Sequence, residues 1–267
     1  EHVVVLSGVP AGSGLRAVWG HTGFPDDTYG AGMSSEAIEE HGPRIADALE
    51  REELPRFLAA AIEVQTTLDH PFSRDMALRK PSEADISSVI PLSDRVVQHV
   101  AAHAAMDPNA LFPLLGERWA QARWLGDLQR AAGMCLLGGG EDRDLQHELT
   151  VEWMSSRPKQ PWILLLANRA SDFISLCRLE HERAWIERTF ASISDHATYS
   201  ALIAEYEAEG EVLEARRRRI RNALVHGNPA TFAVVQSARY YADFLGGTAL
   251  YIALESFVDL TDPQTAL

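Results

Sequence analysis

The sequence is poor in crosslinks, in long apolar runs and in positive charge. Only two of its 267 residues are cysteine, Cys135 and Cys177. They stand far apart and form neither a CxxC pair nor a zinc pattern. That excludes a disulfide scaffold and a zinc ribbon, and points to a reduced, cytoplasmic protein. The longest apolar run is "WILLLA" at 162–167, far short of the roughly 20 residues that cross a bilayer, so no membrane partner is expected. Lysine and arginine total 24 against 38 acidic residues, a net charge of −14. Such a surface repels phosphate and excludes generic coating of nucleic acid, so any such contact must be local. There is no internal repeat and no low-complexity tract. The chain opens on Glu1 rather than methionine; its true N-terminus is expected upstream, with room for a removed targeting signal.

What is present is an ordinary globular composition, 46% hydrophobic and 23% charged, enough to bury a core in one large domain or two of common size. Residues 1–33 differ from the rest. "HVVVLSG" reads as a short strand, and glycine and proline punctuate the sequence up to "GAGMSS". From Ser35 the signals are helical, beginning with a serine cap and acidic first-turn residues in "SSEAIEE". Pro43 and Pro55 are placed at first turns of the next two helices. "SEADISSVI", "LSDRVVQHVAAHAAM" and "NALFPLLGERWAQARWLGDLQRAAGMCLL" follow, and "LGGGEDRD" at 137–144 is a break.

Three long helices are expected in the last hundred residues. The first runs from about Pro161 to Ser194, with Ile163, Leu166, Ala170, Phe173, Cys177 and Ala184 near a 3.6 period, except for a polar turn around Glu180–His181. The second runs from about Tyr199 to His226, with Ile203, Tyr206, Gly210, Leu213, Ile220 and Leu224 on one stripe. The third runs from near Pro229 to about Val258. Its Ala238, Ala242, Gly246, Ala249 and Ala253 make a seam of small side chains that admits a neighbouring helix closely. The expected fold class is mainly α. Residues 1–157 form an N-terminal region (1–33 strand and glycine-rich loop, 34–157 helical), and residues 158–267 a helical domain, with a boundary in "SSRPKQP" at 155–161.

In this acidic chain, five of the six residues from Arg216 to Arg221 are arginine, followed by "NALVHGNP". On a helical wheel Leu213, Ile220 and Leu224 point to the core. Arg219, Asn222 and His226, at i, i+3 and i+7, share a face largely opposite Leu224, and Arg221 lies between the two. Gly227 suits the left-handed conformation that ends a helix, and Pro229 forbids its continuation. A histidine, an amide and a guanidinium thus gather on a surface that the core does not need. RNA cleavage by its own 2′-hydroxyl requires such groups. One moves a proton, a fixed cation stabilises charge on the phosphate, and a polar group orients them. Arginine suits the task because its fork grips phosphate oxygens in pairs. No metal and no cofactor are called for, since the nucleophile is in the substrate. One histidine supplies one acid or base where the reaction benefits from two, and a two-fold dimer would bring a second copy.

"RNALVHG" resembles the R-x4–6-H signature of the HEPN superfamily, most closely the Apea-like RNxxVHG form, over roughly residues 155–260. The resemblance implies a helical bundle that dimerises along the motif face, and metal-independent endoribonuclease activity, often in antiviral defence, toxin–antitoxin or stress systems. It assigns Arg221 to the family arginine, Asn222 to the polar position and His226 to the catalytic histidine. Arg216, Arg218 and Arg219 lie outside the motif and are assigned to the RNA backbone on local charge. The expected partners are an RNA substrate, a second copy of the chain, and a regulatory protein or phage-derived trigger.

The same residues have plainer explanations: a solvated arginine face with a histidine capping the helix, or a non-catalytic scaffold of HEPN type that uses this face for dimerisation or docking. Arg217 falls on the apolar stripe and reads as a snorkelling or ion-paired residue, and the glutamates from Glu205 to Glu214 offer partners one turn away. "GVPAGSGLR" at 8–16 hints at a phosphate loop but lacks the Gly-Lys-Ser/Thr ending, and the aspartates of "PDDTYG" lack a third ligand. His99 and His103 have metal-ligand spacing without the glutamate of a zinc protease, and read as half-buried helix histidines. Trp119 and Trp124, with Leu115 and Leu125, suit either a core or an exposed partner face.

Overall fold

Amphipathic runs closed by capping residues build helix after helix in the computed structural model, which describes residues 35–69, 83–137, 142–159, 162–178 and 180–266. The strand expected near the start, the "GVPAGSGLR" loop and "PDDTYG" lie outside the described residues. Eleven helices are present among those described: α1 Ser35–Arg51, α2 Arg56–Asp69, α3 Glu83–His103, α4 Pro108–Glu117, α5 Trp119–Leu137, α6 Arg143–Lys159, α7 Trp162–Ser175, α8 Glu180–Ala191, α9 His196–Val225, α10 Phe232–Asp259 and α11 Pro263–Ala266. No strand occurs among the described residues, so the fold is mainly α. None of these helices is long and apolar enough to cross a membrane.

The helix breaks depart from the sequence expectation in four places. Pro43 lies inside α1 and Pro91 inside α3, where first turns or breaks were expected. The helix expected from Pro161 to Ser194 is two, α7 and α8, parted after Ser175 by a turn in which Leu176 and Cys177 donate back to Phe173 and Ile174. The tract at 155–161 is helical as far as Lys159, with Pro158 inside α6.

The chain divides into two compact units. The described part of the first lies within residues 120–207; that of the second lies within residues 35–119 and 208–266. The boundary therefore falls within α9, and the segment 158–267 contributes helices to both units.

The first unit packs around rings. Trp153, Phe173, Leu166, Leu149 and Leu128 are fully buried together with Trp124 and Phe190, each such side chain contributing about 1.5–3 kcal/mol. The rings meet edge to face: Trp153 with Trp162 at 5.6 Å, Phe173 with Phe190 at 6.0 Å. Trp124 donates from its indole nitrogen to Ser192 Oγ at 2.8 Å, which settles it as core. Cys135 and Cys177 are buried and form no disulfide. Burial, then the neighbouring Cys177, pushes the Cys135 thiol up to about 12, so it is an inert packing group.

In the second unit α10 lies along α3 in the most extensive helix pairing among the described residues. The small-residue seam makes this approach possible: Ala238, Ala242, Ala249 and Ala253 are buried, and a Cβ at Gly246 would stand 3.3 Å from the Ser93 carbonyl oxygen. Trp119 is also core here, edge-on to Tyr241 at 5.1 Å and to Phe244 at 5.3 Å. Gly210 of α9 admits it, since a Cβ there would lie 3.0 Å from Trp119 Cδ1.

Candidate functional site: the C-terminal end of α9

Helix α9 is 30 residues long. Asp195 starts it by accepting from the Ala197 and Thr198 backbone amides at 3.3 and 3.0 Å. It ends on the predicted glycine. Gly227 has φ +72°, its amide donates to Leu224 O at 3.1 Å, and the Asn228 amide donates to Ala223 O at 2.8 Å. This pair of bonds is the Schellman closure. It makes His226 the capping residue, just past the last helical position rather than inside the last turn. The His226 amide still donates to Asn222 O at 3.1 Å, so the two side chains stay one turn apart.

The arginine run divides between core and surface. Ile220 is buried in a small cluster with Ile90, Val235, Ala238 and Ala242, against which Leu224 packs. Arg217 lies on that same side and is only 2% exposed. Its Nη1 donates to Asp94 of α3, its Nε to Glu214 at 2.7 Å, and its guanidinium sits 4.3 Å above the Phe112 ring. Burial opposes the Arg217 charge, yet the bonds to Glu214 and the Asp94 carboxylate outweigh it and hold the group above its ordinary value. Burial pushes the Asp94 carboxyl up, against the pull of Arg217 and then Arg221.

Arg219, Asn222 and His226 are exposed, as the wheel requires. Among the described residues the side chains of Arg219 and His226 have no hydrogen-bond or ion-pair partner. Arg218 is exposed and donates from Nε to Glu214 at 2.6 Å. Arg216 is half-buried and donates to the Ser237 carbonyl at 3.4 Å. Arg221 is half-exposed. Its Nε stands 3.3 Å from Asp94 Oδ2, and its Nη1 donates to Asn222 Oδ1 at 3.3 Å. The structure thus joins Arg221 to Asn222, with Asn222 and His226 on one exposed side. It leaves Arg219 open and engages Arg216 and Arg218 in local bonds.

Asp94 went unnoticed in the sequence, although a signal was there. Ile90, Asp94, Val97 and Ala101 follow helical spacing, and all but the aspartate are apolar. A charge on the apolar stripe of α3 matches the arginine on the apolar stripe of α9. Ser93, beside it, donates to Asp243 Oδ1 of α10 at 3.3 Å.

Elsewhere, no cluster of three or more histidine, cysteine, aspartate or glutamate side chains suited to a metal ion occurs among the described residues. His99 and His103 are half-buried on α3. His103 Nε2 is buried without a partner, and burial lowers its proton affinity, with Glu52 opposing. An open cleft of about 600 Å³ is lined by Arg44, Asp47, Glu50, Arg51, Val258 and Asp259. There Arg44 pairs with Asp259 at 2.7 Å and Arg51 donates to the Val258 carbonyl at 2.9 Å. Compared with protein-family models, with curated proteins and with solved structures, the chain matches none.

Proposed function

We propose that the chain is a metal-independent endoribonuclease of HEPN type, acting in the cytoplasm as a homodimer in prokaryotic antiviral defence or a toxin-like system. The carrying observation is the division of the α9 end: Asn222 and His226 stay exposed one turn apart while Arg221 is held beside them and half-open. A core does not need this arrangement, and a phosphodiester does.

In the proposed reaction the 2′-hydroxyl of RNA attacks the adjacent phosphorus. The new O2′–P bond forms, the P–O5′ bond breaks, and the products are a 2′,3′-cyclic phosphate and a 5′-hydroxyl. The proton leaves O2′ and a proton arrives on O5′. His226 performs one of these transfers, and His226 of a second copy performs the other. Arg221 stabilises the charge on the non-bridging oxygens, Asn222 orients the guanidinium, and Arg216, Arg218 and Arg219 attract the backbone. His226→Ala and Arg221→Ala should each abolish cleavage of RNA in EDTA while leaving the helical circular dichroism signal intact.

A scaffold of the same type is the second proposal. Two observations favour it: Arg218 and Arg221 already have carboxylate partners, and the exposed apolar residues Val212 and Val225 lie on the same helix. A wild-type protein that cuts no RNA under any activating condition, yet loses self-association on Val225→Asp, decides for the scaffold.

A further inference from the structure

Arginine carries five N–H donors in a planar fork. Arg221 is engaged at two of its nitrogens: Nε lies 3.3 Å from Asp94 Oδ2 as an ion pair, and Nη1 donates to Asn222 Oδ1 at 3.3 Å. The remaining Nη1–H and both Nη2–H have no partner among the described residues, and the side chain is 38% exposed. Asp94 is itself immobilised. It is 5% exposed, its other oxygen accepts from the buried Arg217, and the adjoining Ser93 is pinned between Gly246 and Asp243 of α10.

We infer that Asp94 is a positioning residue for the site: its ion pair with Nε holds Arg221 and leaves the unpartnered N–H groups of the guanidinium to the phosphate. The inference rests on the proposed ribonuclease site and adds to it a residue more than a hundred positions away in sequence. A free arginine samples many rotamers. One held at Nε by a buried carboxylate loses little freedom when it binds, and its fork is aimed beforehand. The arrangement also explains why Asp94 meets two arginines. Arg217 balances the buried charge, so Arg221 is anchored without being drawn into the core.

The test uses side-chain NMR of the arginine Nε–H groups together with RNA cleavage. In the wild-type protein the Arg221 Nε–H should exchange with water more slowly than that of Arg219, which has no partner among the described residues. Equal exchange overturns the inference. Asp94→Asn alone leaves Arg217 buried beside one carboxylate and risks unfolding. The comparison is therefore made in an Arg217→Met background, which removes the buried cation and keeps an unbranched side chain near Phe112. There the Arg221 signal should persist. Adding Asp94→Asn should collapse it and lower kcat about 100-fold with KM little changed, as expected when a reacting group is misplaced. A double variant that keeps the signal, or cleaves as fast as Arg217→Met, overturns the role of Asp94 while leaving the ribonuclease standing. If the wild type cleaves nothing, the ribonuclease falls, and the exchange comparison alone decides whether Asp94 holds Arg221.

Discussion

Each unit buries one conspicuous aspartate, and the two are satisfied differently. In the first unit Asp127 of α5 accepts from the Tyr206 hydroxyl at 2.8 Å and from Arg123, one turn earlier on its own helix. In the second unit Asp94 of α3 accepts from the buried Arg217 of α9 and forms an ion pair with the half-exposed Arg221 of the same helix. Asp127 closes a local network among core residues. Asp94 reaches the surface through its second arginine. A buried carboxylate of the first kind is satisfied within the core; one of the second kind also pairs with an exposed cation. The proposed positioning role of Asp94 rests on that difference.

The largest expected effect tests the second network. Arg217→Ala leaves Asp94 buried with only its ion pair to Arg221 Nε at 3.3 Å, and should cost about 3–5 kcal/mol in urea unfolding, as for other broken buried ion pairs. Tyr206→Phe in the first unit removes one donor while Arg123 remains, and should cost about 1–3 kcal/mol. A Tyr206→Phe loss equal to that of Arg217→Ala would erase the distinction between the two networks.

The second unit has a buried tyrosine of its own. Burial, then Glu214, pushes the Tyr241 hydroxyl up to about 12. Its folded value thus lies above the ordinary ~10. The stability it contributes is complete below pH ~10 and is lost as pH rises toward about 12, because the unfolded chain ionises first. Urea midpoints measured across that window should fall more steeply for the wild type than for Tyr241→Phe. Arg219→Ala should be the mildest change. Stability should shift by no more than about 0.5 kcal/mol, while the salt dependence of RNA binding should lessen by about one phosphate contact.

Much of this was legible from periodicity and punctuation. Gly227 and Pro229 ended α9 where expected, the alanine and glycine seam of α10 received α3, and Arg217 on an apolar stripe was ion-paired. Three features were not legible, each for a physical reason. Pro91 sits within α3 because tertiary packing of Val89, Ile90, Val96 and Val97 outweighs the local break. The break between α7 and α8 was read only as a polar turn around Glu180–His181 within one helix, because Leu176 and Cys177 are buried and kept the apolar count going. Asp94 was hidden because a partner over a hundred residues away leaves no mark on local spacing. Its trace was the polar residue at a core position, which becomes meaningful only when matched with another like it.

The central claim is that the open side of α9 at Asn222 and His226, with Arg221 beside it, processes a phosphodiester. End-group analysis of RNA incubated with the protein in EDTA tests it most directly. Wild-type protein should yield fragments with 2′,3′-cyclic phosphate and 5′-hydroxyl ends, and His226→Ala should reduce them by about 100-fold or more. Fragments with 5′-phosphate ends, or equal yields from wild type and His226→Ala, would contradict it.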